Sequence, residues 1–441
     1  MPLLKRFAIA ERGSSLRREI VGGATTYMTM AYIVFVQPVV MAAAGMDFGA
    51  VMVATCLASA LACFVMGLWA NYPLALAPGM GHNFFFTYTV VLGMGLSWQT
   101  ALGATFVGGV VFLAMSLGGL REKIVDALPA SLLHAMGAGI GLLIALVGLE
   151  WAGIIVDHPG TLVGLGHLGS PPTLLALFGL ALVGALMVRR VPGAILIGIL
   201  ATTLVGLAAG LVSYRGVVSK PPSLAPTAFA LDLRHFLSWK GLEVAAVFLF
   251  LDVFDTMGTL VGVAPEAGLM KDGRLIGGQR AFMADATGTV VGALLGTSTI
   301  TCYVESAAGI ASGARTGLAA VVTGLLLLVT PFFYPLVQMV GAGVKVSPQL
   351  TLYPITAPAL IVVGVLMMKA AARIDWKDPA EAIPAFLTIV IMPLTVSITE
   401  GIAFGLISYS FLSLVGGRFR RTPAAVHICA VLLLLRYIFL V

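Results

Sequence analysis

The sequence predicts an all-α polytopic membrane protein, and three observations carry that reading. Of 441 residues, 59% are hydrophobic and only 10% charged. The mean hydropathy of +1.05 lies far outside the range of soluble globular domains. Apolar runs long enough to cross a hydrocarbon core of about 30 Å follow one another almost end to end.

The runs fall at roughly 20–44, 49–70, 74–95, 101–118, 131–154, 173–188, 193–212, 242–264, 282–296, 298–312, 316–341, 354–370, 380–398 and 400–416, with a terminal extra at 424–441. Lys5, Arg6, Arg12, Arg17 and Arg18 precede the first run, and no small-residue cleavage site follows it, so that run is expected to stay as an anchor. Arg121 and Lys123, Arg189 and Arg190, Lys271, Arg274 and Arg280, Arg315, and Lys369, Arg373 and Lys377 mark the expected cytoplasmic loops. Fourteen crossings then leave both the N-terminus and the Arg418–Arg421 cluster on the cytoplasmic side of the cell membrane. The last run contains His427 and Arg436 and is read either as an interfacial helix or as an extra crossing. The net charge of +6 is a topology signal, with no nucleic-acid partner implied. Cys56, Cys63, Cys302 and Cys429 lie in apolar segments without metal-ligand spacing and are expected as free thiols.

Fourteen divides into seven plus seven, and a tandem repeat of an odd number of crossings comes out inverted, with a site expected near the midplane. The third run, PLALAPGMGHNFFFTYTVV, and the tenth, TSTITCYVESAAGI, are a matched pair. Each opens with a short β-compatible stretch and then turns helical. Pro78, Gly79 and Gly81 break the third, and the Ser/Thr run at 297–301 weakens the tenth. Irregular backbone at membrane depth survives only inside protein or along a cavity. Half-helices there are expected to aim free N–H groups at a ligand.

Asp252, Asp255, Asp285, Glu305 and Glu400 interrupt apolar runs. Each costs about 2.5 to 3.5 kcal/mol at a helix centre and so needs a reason. In FLFLDVFDTMGTL, Asp252 and Asp255 share a helix face with Thr256 and Thr259. Asp255 and Glu305 are read as acceptors for a substrate or carriers of a coupling proton; the alternative is that they cap half-helices or pair with hydroxyls. For Asp252 the structural role leads, with proton coupling second. Asp285, near the cytoplasmic end of its run, and Glu400, near a segment boundary, are read as end caps or coupling support ahead of ligand contact. A face of Phe84, Phe85 or Phe86 is a candidate to stack on a planar ligand. His82 is read as a packing residue or a ligand contact, and Asn83 follows it. No P-loop, Ser/His/Asp set or metal-spaced His/Cys cluster is present, which excludes the familiar enzyme motifs and ATP coupling and requires no cofactor. A secondary transporter is the natural class.

The motifs ERGSSLRREIVGGATTYMTMAYIVFV, ALAPGMGHNFFFTYTVV, GIGLLIALVGL, FLFLDVFDTMGTL, GTSTITCYVESAAGIASGARTGLAAVVTGL and EAIPAFLTIVIMPLTVSITEGIAFGLISY then carry a resemblance. From about Glu11 to Gly416 the chain resembles the azaguanine, hypoxanthine, guanine and adenine permease branch of the nucleobase:cation symporters. The resemblance implies a core domain at 1–119 and 242–345 and a gate domain at 120–241 and 346–417, with 418–441 as a basic cluster and terminal hydrophobic segment. It implies a purine held between the short strands of the third and tenth segments, proton-driven accumulation, and a possible homodimer in the lipid bilayer. The resemblance matches Asp255 and Glu305 to the residues that hold the base; with the residues read from their segments, the expected substrate contacts are Asp255, Glu305, Gln37, His82, Asn83, Phe84, Thr259 and Tyr303. The expected proton-coupling residues are Asp255, Glu305 and Asp252. Gln37 stands where the branch usually has asparagine, and GHNFFF where it usually has GLNAFF, so His82 and Phe84 bear on which purine is preferred. Two alternatives stay open: an anion transporter of the sulfate or bicarbonate type, against which two site carboxylates argue, and a membrane sensor that binds without transporting.

Overall fold

The computed structural model describes residues 6–118, 129–271, 274–347, 350–420 and 422–439. Lys5, Arg121, Lys123 and Arg421, and the side chains of Lys271 and Arg274, lie outside the described residues. The helices run in the order α1 (Leu16–Met30), α2 (Tyr32–Ala43), α3 (Phe48–Val65), α4 (Met80–Phe84), α5 (Trp98–Gly118), α6 (Ala130–Trp151), α7 (Pro171–Val188), α8 (Ala194–Ala208), α9 (Trp239–Val263), α10 (Gly278–Leu295), α11 (Ser306–Ala311), α12 (Gly317–Val329), α13 (Tyr334–Val340), α14 (Ala357–Met367), α15 (Pro379–Thr395), α16 (Ile398–Val415) and α17 (Ala424–Phe439). Among them lie the strands β1 (Leu76–Pro78), β2 (Ile155–His158), β3 (Leu162–Leu165) and β4 (Ile300–Cys302).

Helix starts follow from local chemistry. Ser15, Asp47, Ser170, Ser238, Thr316, Asp378 and Ser397 each accept a first-turn N–H with a side-chain oxygen. Among the described residues, eight helical stretches are long and apolar enough to cross a membrane: Leu16–Ala43, Phe48–Ala70, Trp98–Leu117, Ala130–Trp151, Pro171–Val188, Lys240–Ala267, Gly317–Val340 and Ile398–Val415. Ala194–Ala208, Pro379–Thr395 and Ala424–Ile438 are shorter apolar helices. The third and tenth segments are broken by the strands β1 and β4, as the glycine, proline and threonine pattern predicts. The four thiols are free.

The chain forms two compact units, Met1–Gly118 with Glu150–Ala359, and Gly119–Leu149 with Leu360–Val441. In the first, α12 packs on α1 and α3, and α5 packs on α9 and α10. Glu19, fully buried, accepts the backbone N–H groups of Arg315 (2.8 Å) and Thr316 (3.3 Å), so a carboxylate sits at the positive start of α12. Helices α7 and α8, which the resemblance assigns to the gate, belong to this unit. In the second unit α15, α16 and α17 pack in sequence. Ala135, Ala138, Ala385 and Ile389 form one buried cluster, and Glu381 accepts from Ser131 and from the Tyr409 hydroxyl (2.9 Å).

Candidate functional site

The centre of the first unit is a two-stranded antiparallel pair in which Leu76 faces Cys302, Ala77 faces Thr301 and Pro78 faces Ile300. Bonds from Gly79 N to Thr299 O (3.0 Å) and from Tyr303 N to Ala75 O (2.9 Å) extend it at both ends. Every residue of both strands is buried. Pro78 offers no N–H and Thr299 and Thr301 are β-branched, so local preference and pairing agree. The strands satisfy at membrane depth the polar groups that helix would otherwise satisfy. Beyond them α4 and α11 begin.

Asp255 and Glu305 lie beside this pair. The Thr301 hydroxyl donates to Asp255 Oδ2 (3.0 Å), and the Tyr32 hydroxyl donates to Glu305 Oε1 (2.6 Å). Asp255 is exposed and Glu305 half-buried, whereas Asp252 and Asp285 are 1% and 0% exposed. Asp255 Oδ1 has no hydrogen-bond partner among the described residues, so an acceptor remains at the exposed carboxylate. Glu305 is the residue preceding α11 but does not cap it with its side chain. The amides of Ser306, Ala307 and Ala308 turn back to the carbonyls of Tyr303, Val304 and Glu305, so the first turn of α11 does not supply the free N–H groups expected of it. Tyr303 donates to Pro78 O (2.5 Å), and its ring lies 6.4 Å from that of Tyr32. Thr259, one turn beyond Asp255 on α9, is half-buried.

Other expected contacts are committed elsewhere. The Gln37 amide donates to the hydroxyls of Thr297 (3.0 Å) and Ser298 (3.1 Å), and Ser298 donates to Asn83 Oδ1 (2.5 Å). This chain of bonds ties α2, α4 and the stretch before β4 together, with Gln37 and Asn83 fully buried. Phe84 is 1% exposed and stacks on Tyr88 at 5.5 Å, while Phe85 and Phe86 pack on Phe248. All three rings are 1% exposed or less, so none presents an open face in this structure. His82 is 3% exposed, and neither ring nitrogen has a partner among the described residues.

Asp252 and Asp285 form a reciprocal arrangement. Thr289 on α10 donates to Asp252 Oδ2 (3.2 Å), and Thr256 on α9 donates to Asp285 Oδ2 (2.8 Å). Asp285 lies inside α10, not at its end as expected, and caps nothing. Glu400 does lie in the first turn of α16, where Arg436 (2.9 Å) and the Tyr437 hydroxyl reach it. The same Thr289 hydroxyl lies 2.9 Å from Ile300 O, so its single proton is shared between two acceptors and one hydroxyl links the buried Asp252 to β4. Thr289→Val is expected to destabilise the protein by about 1 to 3 kcal/mol, since it strands a buried acceptor. A melting temperature in detergent lowered by several degrees checks this, and an unchanged value refutes it. Sequence reasoning missed Tyr32, Thr301 and Thr289; only Thr301 carried a signal, in the alternation of Thr297, Thr299 and Thr301.

Comparison with known proteins decides the class. Residues 17–404 match the model of a permease family, Xan_ur_permease. The chain belongs to this family. It is a multi-pass membrane permease, not an enzyme. It is 47% identical over 446 residues to the guanine/hypoxanthine permease PbuG of Bacillus subtilis, covering 98% of this chain and 99% of that one. With the adenine permease AdeP of Escherichia coli it shares 42% over 435 residues, covering 98% and 95%. Among solved structures, the transmembrane domain of the cyanobacterial bicarbonate transporter BicA aligns with a TM-score of 0.65 at 18% identity, over 88% of this chain and 97% of that one. That likeness is one of fold.

Proposed function

We propose that this permease is a secondary transporter that imports purine nucleobases across the cytoplasmic membrane in symport with protons. The observation that carries the reading is the pair of accessible carboxylates, Asp255 and Glu305, beside the β1–β4 strands. A 6-oxopurine presents N–H donors on both rings, which two carboxylates accept, while its ring nitrogens and carbonyl take donors. Tyr303 and Thr259 are assigned as neighbouring contacts, and Gln37, Asn83, His82 and Phe84 as the supporting wall. The names of the full-length relatives agree with a purine and do not choose among hypoxanthine, guanine and adenine.

A neutral base brings no charge of its own, so uphill uptake needs a co-transported cation. One proton moving down 100 mV gains about 2.3 kcal/mol, roughly a fifty-fold concentration ratio. Asp255 and Glu305 are the proposed proton carriers, with Asp252 behind them. The proposed architecture is fourteen crossings in an inverted seven-plus-seven repeat, with segments one to four and eight to eleven moving as an elevator against five to seven and twelve to fourteen. The proposed state in the membrane is a homodimer. The shared fold of the bicarbonate transporter leaves an anion as the second reading, but two accessible carboxylates would repel it.

The test is uptake of labelled hypoxanthine, guanine, adenine, xanthine and uracil into cells lacking their own permeases, with and without an uncoupler. Saturable purine uptake that the uncoupler abolishes is expected. Well-expressed protein that moves no base overturns the reading.

A further inference from the structure

We propose that α17 crosses the bilayer alongside α16, with its outer face against lipid acyl chains and its C-terminal end on the membrane face opposite Arg418. The geometry that carries this is a set of contacts along the whole of both helices. Near the C-terminal end of α16, Ser410 bonds the His427 ring at 2.8 Å. Near its N-terminal end, Glu400 takes Arg436 at 2.9 Å and the Tyr437 hydroxyl. Val426, next to His427, forms one buried cluster with Leu132 and Leu406, on which Ile402, Tyr409 and Leu433 pack, and the Phe404 and Tyr437 rings lie 6.0 Å apart. The two helices are therefore antiparallel along their length.

A helix lying in the interfacial plane has a different signature. It meets a spanning helix at one end only, and it turns a charged face to water. Here Arg436 is the sole Lys, Arg, Asp or Glu of α17, and it is held by Glu400. The inward stripe Val426, Ala430, Leu433 and Tyr437 has the four-three-four spacing of one helix face. Ile428, Val431, Leu432, Leu435 and Ile438 are exposed on the remainder, an apolar surface that water would penalise and acyl chains would not. At 1.5 Å per residue the 16 residues of α17 reach about 24 Å and the 18 of α16 about 27 Å. Since α16 is long and apolar enough to span, its full-length antiparallel partner spans with it. Arg418 and Arg420 then mark one membrane face and the last turn of α17, at Tyr437, the other. The inference stands independently of the transported substrate.

The test places one short protease-cleavable epitope tag in the full-length chain, either within 417–422 or after Val441, and exposes intact spheroplasts to external protease. Opposite results for the two positions are expected, with the 417–422 tag protected until lysis and the terminal tag cut. Equal accessibility of both tags overturns the crossing. A second measurement addresses the outer face: Leu432→Cys in a Cys429→Ser background, oxidised in native membranes. No cross-linked dimer is expected from a lipid-facing position. Efficient cross-linking would put a second copy of the chain on that face and overturn the lipid assignment.

Discussion

Asp255→Asn is expected to lower purine uptake by about ten- to a hundredfold without unfolding the protein, and Glu305→Gln to do the same. Both amides keep an oxygen that can accept the bond now made by Thr301 to Asp255 and by Tyr32 to Glu305. The local fold therefore has what it needs. What each variant loses is the charge and one acceptor oxygen, replaced by an amide donor facing the N–H of the base. A hydrogen bond to a charged acceptor contributes about 1.5 to 3 kcal/mol, which sets the expected loss. Uncoupler sensitivity is expected to fall in parallel if these groups carry the proton, so residual uptake in the variants should equilibrate and not accumulate. Uptake assays with the amount of protein in the membrane held equal read both effects. Wild-type accumulation by both single variants would make the carboxylates structural. Improved uptake of an inorganic anion by Glu305→Gln would favour the second reading of the fold.

The broken segments were legible because their chemistry is local. Pro78, Gly79 and the threonines at 297–301 disfavour helix whatever surrounds them, and the β1–β4 pair appears where they stand. The face of an acidic residue was less legible. Asp252 and Asp255 are 60° apart on an ideal helix, too little for periodicity to separate. What separates them is α10, which supplies Thr289 to Asp252 and leaves Asp255 exposed. Asp285 was misjudged because the apolar run starts at Phe282, whereas the helix starts at Gly278 and takes in the polar Gln279 and Arg280. Gln37 and Asn83 carry polar amides in the right segments, yet their hydroxyl partner, Ser298, is more than 200 residues away in sequence. Phe84 packs on Tyr88 one turn later, a neighbour that composition does not distinguish from a ligand.

Gly317→Ala is expected to be the most damaging of the small substitutions, at about 3 kcal/mol or more. A Cβ at Gly317 would sit 2.1 Å from the carbonyl oxygen of Gly67, and one at Gly67 would sit 2.4 Å from that of Gly317. The blocking atoms are backbone, so no side-chain rotation relieves the clash, and overpacking costs of 1 to 3 kcal/mol apply even where neighbours can yield. The same pair is pinned by Asn71, whose Oδ1 accepts the Gly317 N–H at 2.7 Å from a left-handed backbone position. Retreat of α12 would break that bond as well. Close contact of this kind is how membrane helices associate when lipid is as apolar as their own side chains. Gly184→Ala is the control, since a Cβ there meets nothing within 4 Å and the better helix propensity of alanine should leave stability equal or higher. Melting temperatures of the two variants in detergent decide the matter. A fall of several degrees at 317 with none at 184 would show that backbone contact holds α12 in place. Equal stability would mean that the two backbones part at little cost.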